Sequence, residues 1–185
     1  MRNFLFVVLF CFICLVGWAD TVTYYFNDYD AGGEEWETNP ANMVDGDTGT
    51  LANSSPEYLD IELCNSNTCD GSGSGSITKV ELRVYAKTNY FNNETIVVRP
   101  VFSGGDGDDH TLTLYTTAQW SSYVDITSDT NAPATWTWSG IQNLDCDIEY
   151  NPTNGSSANC YKVEIQVTYT PGEEDQPAVF FGANF

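Results

Sequence analysis

Ser76-Ile77-Thr78-Lys79-Val80-Glu81-Leu82-Arg83-Val84-Tyr85-Ala86-Lys87 is the stretch whose reading decides the fold. Val80, Leu82 and Val84 fall on one side of an extended chain. Lys79, Glu81, Arg83 and Tyr85 fall on the other. Side chains alternate across a strand, so this period of two predicts one buried and one wet face, the habit of antiparallel sheets. Residues 160–170 repeat the pattern: Tyr161, Val163, Ile165, Val167 and Tyr169 alternate with Lys162, Glu164, Gln166 and Thr168. In 58–64, Leu59, Ile61 and Leu63 alternate with Asp60 and Glu62, and the aliphatic set is expected inside. Shorter β-branched or aromatic runs lie at 21–27, 95–103, 111–116, 123–128, 134–138 and 144–150. Gly, Asn, Asp and Ser clusters separate them, which makes about nine strands. The one helical spacing is Trp138, Ile141 and Leu144, enough for a single turn over 139–144. Many short strands without helices predict an all-β chain: an antiparallel β-sandwich or jelly roll.

The chain's two ends carry different signals. Met1-Arg2-Asn3, an apolar run from Phe4 to Val16, and Gly17-Trp18-Ala19 have the form of a signal peptide over 1–19. The run is shorter than the roughly 20 residues a membrane span needs, so secretion without membrane insertion is expected. The sandwich is then expected over 20–170, followed by an acidic spacer and an apolar tail within 171–185. All 26 Asp and Glu follow Ala19, and the formal net charge is −20. Such a surface repels nucleic acid and anionic lipid, and favours divalent cations or basic partners.

Cys64, Cys69, Cys146 and Cys160 remain after the leader. An even count in an exported chain implies disulfides, with three pairings open. Local pairs, Cys64–Cys69 and Cys146–Cys160, are favoured because each flanks a polar turn. Three acceptor patterns for N-glycosylation occur, at Asn53-Ser54-Ser55, Asn93-Glu94-Thr95 and Asn154-Gly155-Ser156.

Catalytic signals are poor. His110 is the one histidine, no G-x-S-x-G pattern accompanies it, and carboxylates are too numerous for any pair to stand out. The chain therefore reads as a binder, not an enzyme. Asp45-Gly46-Asp47-Thr48-Gly49-Thr50 is a candidate calcium loop. Two carboxylates and two hydroxyls sit in a Gly-bent segment, and calcium takes six to eight oxygens. A solvated Asp-Gly turn is the plainer reading.

Tyr58-Leu59-Asp60-Ile61-Glu62-Leu63, a Gly-rich turn and Ile77-Thr78-Lys79-Val80-Glu81-Leu82-Arg83 are similar to the paired strands of the discoidin, or coagulation-factor type C, modules and their carbohydrate-binding relatives. Asp45-Gly46-Asp47 with a following Thr resembles an earlier loop of that family, and Cys160-Tyr161-Lys162-Val163-Glu164-Ile165 its last strand. Cys64 stands where the family often has Gly. Lys162 stands where calcium-binding members carry a carboxylate. The resemblance implies a galactose-binding-like jelly roll that binds glycans or lipid head groups through loops at one end. It also implies a calcium set of Asp45, Asp47 and Thr50, with Glu164 as the carboxylate two residues out of place.

Sugars stack their apolar faces on aromatic rings, so Trp36, Tyr90, Phe91, Trp136 and Trp138 are the candidate ligand residues. Trp36 lies in an acidic loop and Tyr90-Phe91 between asparagines. Trp136 and Trp138 alternate on one predicted strand, where they are open to a second reading as a core pair. The chain is expected to be an extracellular, non-catalytic module for carbohydrate or a cell-surface glycoconjugate. The rival is a structural or adhesive protein that self-associates through the tail from Pro177 to Phe185.

Overall fold

The computed structural model describes residues 18–32, 36–91, 93–153 and 155–172. The tail from Pro177 to Phe185, and the expected leader up to its last two residues, lie outside them. The described residues form β1 (Asp20–Tyr29), β2 (Ala52–Asn53), β3 (Asp60–Asn67), β4 (Ser76–Thr88), β5 (Thr95–Phe102), β6 (Gly105–Asp106), β7 (His110–Thr113), β8 (Gln119–Trp120), β9 (Val124–Asp125), α1 (Trp138–Gln142), β10 (Asp145–Tyr150) and β11 (Ala158–Thr170).

The architecture is an antiparallel β-sandwich. One sheet runs β1-β11-β4, with β8 and β9 on the outer edge of β4 and β2 on the end of β11. The other runs β1-β3-β10-β5, with β6 and β7 beyond β5. β1 belongs to both. Its residues 20–25 pair with β11 and its residues 26–29 with β3, so one strand turns the corner between sheets. Val80, Leu82 and Val84 of β4 are buried, as are Val163, Ile165 and Val167 of β11. Ile96, Val98 and Ile148 fill the opposite side. The strand expected at 134–138 is absent. Thr137 is instead extended and caps α1, its hydroxyl accepting the Gly140 N–H at 3.0 Å.

β3 reverses the expected facing. Asp60, Glu62 and Cys64 point into the core, while Leu59 is exposed and Ile61 and Leu63 are half-buried on the outside. The two carboxylates are held by backbone amides of the segments they anchor. Asp60 accepts from Ser55 and Glu37, and Glu62 Oε2 accepts from Trp36 at 3.3 Å. A buried carboxylate survives only with such donors. The aliphatic pair outside is sheltered by neighbouring strands, Leu63 lying in register with Asp147 and Ile61 with Glu149.

The expected pairing of Cys64 with Cys69 is not met, whereas Cys160 is near enough to Cys146 to act on its thiol. All four thiols are buried and free. The 64–69 segment is not a tight loop. It continues β3 in ladder with β1 as far as Asn67, which carries Cys69 roughly 10 Å or more from Cys64 at about 3.3 Å per residue. A disulfide needs Cα atoms within about 7 Å. Cys69 Sγ lies 3.8 Å from the Trp138 carbonyl, away from Cys64. Cys64 is in register with Cys146 across the β3–β10 ladder, and Met43 Sδ is 3.6 Å from its Sγ. Burial pushes the Cys64, Cys146 and Cys160 thiols well up, and at Cys64 and Cys146 the neighbouring thiols add to the shift.

The facing of β3 is testable. Leu82→Ala should cost about 2–5 kcal/mol, as large-to-small core changes do. Leu63→Thr should cost less than about 1 kcal/mol, as surface changes do. Urea unfolding in which Leu63→Thr proves the more damaging would restore the facing expected from the sequence.

Burial also raises the Asp60, Asp145 and Asp147 carboxyls above the ordinary Asp value of 3.8. Just above that value the folded state holds protons the unfolded chain has released. Stability from these groups is therefore lowest at neutral pH and recovers as pH falls through their folded pKa values. Acidification also relieves the self-repulsion of a net charge of −20. The melting temperature should rise as pH falls from neutral toward the ordinary Asp value, and Asp60→Asn should flatten that rise.

Candidate functional site

The outer face of the β1-β11-β4 sheet carries an unusual population. Turning Val80, Leu82 and Val84 inward turns Glu81, Arg83 and Tyr85 outward. The pairing registers then set Tyr25, Glu164 and Arg83 in one row across three strands, and Lys162, Tyr85 and Trp120 in the next. A β-bulge between Cys160 and Lys162 brings Tyr161 to the same side, where its ring meets Tyr85 edge-on at 5.4 Å. Tyr85 also contacts Trp120 at 5.2 Å. Tyr25, Tyr85, Trp120, Tyr123 and Tyr161 are all half-buried.

Arg83 sits at the centre. Its guanidinium lies 4.0 Å from the Trp120 ring centroid and 4.4 Å from that of Tyr123. Arg83 Nε and Nη2 donate to Glu164 Oε2 at 3.0 and 2.7 Å. Lys162 Nζ is 3.1 Å from the other oxygen, Glu164 Oε1, and 4.7 Å from the Tyr25 ring. Cation–π contacts contribute about 0.5–2 kcal/mol each, more as water is excluded. Tyr123 shares a hydrogen bond with the Thr23 side chain, and burial pushes its phenol above the ordinary value. Lys79, bonded to Glu81 at 2.6 Å, and Asp125, in register with Glu81, border the patch. The result is a floor of rings around a fixed set of charged donors and acceptors.

The residues singled out from the sequence are dispersed. Trp36 is a core residue, only 1% exposed. Its apolar ring fills the sandwich and its Nε1–H donates to the Ile148 carbonyl at 3.0 Å. Trp136 and Trp138 are buried and share no strand face. Trp136 packs edge-on against Phe102 at 5.8 Å and donates to the Thr127 carbonyl at 3.0 Å. Its edge reaches a cleft of about 660 Å³ that Asn131, Ser139 and Asn143 also line. Trp138 packs on Tyr169 at 5.0 Å and borders a second cleft, of about 500 Å³, with Tyr24. Tyr90 and Phe91 stand at a loop tip, 70% and 50% exposed, at the far end of β4.

Of the four oxygen donors expected to share calcium, Asp45, Asp47 and Thr50 gather in one hydrogen-bonded loop, while Glu164 is engaged elsewhere. Asp45 Oδ1 accepts the Asp47 N–H, Asp47 Oδ1 accepts the Gly49 N–H, both at 2.8 Å, and the Thr50 hydroxyl donates to Asp45 Oδ2 at 2.6 Å. Glu164 is engaged by Arg83 and Lys162. Among the described residues no three His, Cys, Asp or Glu side chains are arranged to hold a metal. The loop instead packs against the aromatic floor. A Cβ at Gly46, whose φ is +79°, would lie 2.7 Å from the Tyr25 ring. His110 Nε2 lies 2.7 Å from Asp129 Oδ2, tying β7 to the loop that follows β9.

Sequence reasoning passed over Tyr25, Arg83, Tyr85, Trp120, Tyr123 and Tyr161. The alternation that placed Val80, Leu82 and Val84 inside already put Arg83 and Tyr85 outside. Thr21, Thr23 and Tyr25 alternate in the same way. No local pattern brings Trp120 or Tyr123 to them.

No protein-family model matches the sequence, and no curated protein does. Solved structures similar to the chain include "CBM35 from Cellvibrio japonicus Abf62", 15% identical with a TM-score of 0.39, covering 83% of this chain and 99% of that one. Another is titled "CBM4 structure and function", 12% identical with a TM-score of 0.36, covering 76% of this chain and 88% of that one.

Glu164→Ala strands two cations under the rings. We expect a loss of about 3 kcal/mol in urea unfolding, as for a broken buried pair. Glu81→Ala, which removes the exposed Lys79 pair, should cost less than about 1 kcal/mol. Equal costs would mean that Glu164 organises nothing.

Proposed function

We propose that the chain is an exported, non-catalytic carbohydrate-binding module, and that the outer face of the β1-β11-β4 sheet receives the saccharide. The observation that carries this reading is the gathering of five half-buried aromatic rings on the solvent side of a sheet, around the Arg83–Glu164–Lys162 network. A solvated sheet face is ordinarily polar, and an aromatic cluster there marks a binding surface. A pyranose offers such a surface a C–H face to stack on a ring and hydroxyls to bond at its edge. Arg83 and Lys162 offer donors and Glu164 offers an acceptor, all held in place before any ligand arrives. A net charge of −20 disfavours polyanionic sugars, so the ligand class is a neutral glycan or a neutral stretch of a glycoconjugate.

Binding to a panel of soluble neutral and acidic polysaccharides, followed by calorimetry or affinity electrophoresis, tests this. Trp120→Ala and Tyr123→Ala should each weaken binding at least tenfold, roughly 1.4 kcal/mol or more, measured on protein that remains folded after the loss of stability expected from the missing Arg83 ring contact. A wild-type protein that binds none of the panel, or platform variants that bind as well as it does, would remove the reading.

A further inference from the structure

We propose that Asn93 is the N-glycosylation site of the exported chain, and that the Phe91 ring packs on the first sugar attached there. Three acceptor patterns occur in the sequence, and the fold separates the two whose asparagines are described, Asn53 and Asn93. The carbohydrate is added to an unfolded or partly folded chain, so the folded protein must be able to carry it outside. Asn53 cannot do so without loss. It lies in β2, exchanges backbone hydrogen bonds with Thr38, and donates its own Nδ2–H to the Ser54 carbonyl at 2.9 Å. Its Oδ1 accepts from the Ser157 hydroxyl at 3.3 Å and from Asn89 Nδ2 at 3.4 Å. A glycan on Asn53 Nδ2 would leave a single N–H there and would have to fit beside Ser54, Asn89 and Ser157 around a half-buried side chain.

Of the third pattern only Gly155 and Ser156 are described. Asn154 itself lies outside the described residues.

At Asn93 nothing of this kind stands in the way. Asn93 and Thr95 are both exposed, while Glu94 between them is buried and anchors the turn. Asn93 has φ +69°, a left-handed conformation that Asn tolerates better than most residues. Its backbone N–H donates to the Leu114 carbonyl at 3.0 Å, which fixes the turn and leaves the side chain outside. Phe91, two residues earlier, is 50% exposed and apolar, a ring in need of cover. Sugar C–H faces supply that cover.

The transfer needs a polyprenyl-diphosphate-linked oligosaccharide as donor. Asn93 Nδ2 forms a bond to the anomeric carbon of the first sugar, the bond from that carbon to the diphosphate oxygen breaks, the lipid diphosphate departs, and Nδ2 gives up one proton. No oxidation occurs.

The full chain, leader included, should be secreted from insect or mammalian cells and treated with peptide-N-glycosidase. A mobility shift is expected for wild type, for Asn53→Gln and for Asn154→Gln. In the Asn154→Gln background, Asn93→Asp, which keeps a residue suited to positive φ, should abolish it. Thr95→Ala should abolish it there as well while retaining Asn93. No shift in wild type, or a shift that persists in Asn93→Asp and Thr95→Ala in that background, overturns the assignment. Enzymatic removal of the sugar should lower the melting temperature of wild type more than that of Phe91→Ala; equal drops would overturn the stacking.

Discussion

The long antiparallel ladder between β4 and β11 is the constraint on which the rest of this structure depends. It runs from Ala158 opposite Thr88 to Thr170 opposite Ser76, with irregularities near Tyr161 and Tyr169. Because facing alternates strictly, the ladder fixes two surfaces at once. Val80, Leu82, Val84, Val163, Ile165 and Val167 must go to one side together. Arg83, Tyr85, Lys162 and Glu164 must then share the other. A slip of one residue would bury the charges and expose the aliphatics, so hydrophobic burial in the core also holds the outer platform in register. The bulge at Tyr161 is the local exception. It spends one residue out of step and adds a ring to the wet face.

The second sheet is organised differently. β3 places acids inside and aliphatics outside, and the reason lies in what must be tied down beneath it. The segment at 36–38 reaches other backbone through a bridge between Thr38 and Asn53, and the segment at 53–55 through that bridge and the short β2–β11 ladder. Glu62 takes the Trp36 amide and Asp60 the Ser55 amide. Trp36 can then fill the core with its indole N–H satisfied by β10. Two buried carboxylates are costly in isolation, but they supply acceptors exactly where irregular backbone enters the interior, and aliphatic side chains could not.

This contrast explains how much of the molecule was legible from sequence. The strands of the first sheet were readable because their apolar residues were the ones that went inside. So was the turn of helix near Ile141, and the division of the chain into short antiparallel strands. The period in β3 was readable too, but its phase was not: periodicity gives two alternatives, and the assumption that Leu and Ile go inside chose the wrong one. Cys64 and Cys69 flank Asn and Ser, which are turn formers, yet Ser66 takes a left-handed conformation (φ +52°) while the ladder to β1 continues to Asn67. Trp36 sits among acids and looks like a surface residue until Ile148 supplies its acceptor. In the platform, Arg83 and Tyr85 follow from the alternation of β4. Trp120 and Tyr123 belong to short segments without a period, and only the docking of β8 and β9 on β4 brings them to Arg83.

Glu164 shows how a residue's chemistry depends on that docking. Seen along the chain, it is an acid on a strand beside a lysine, and a metal could claim it. In the fold it is the shared acceptor of Arg83 and Lys162, and the three strands that meet there keep all three side chains within reach of one another. The rings of Tyr25, Trp120 and Tyr123 exclude water from the group, which strengthens each charge pair compared with an open surface. A cation displacing either partner would have to break these bonds and lose the ring contacts that accompany them. A neutral polyol faces no such cost, since its hydroxyls can add to the unfilled edges of the same network while its apolar face covers the rings. Because the donors, the acceptor and the rings are held before binding, little conformational entropy remains to be lost when a ligand settles on them. The ladder that builds the core thereby also sets the opposite face, on which the proposed function places a rigid, uncharged and partly apolar partner.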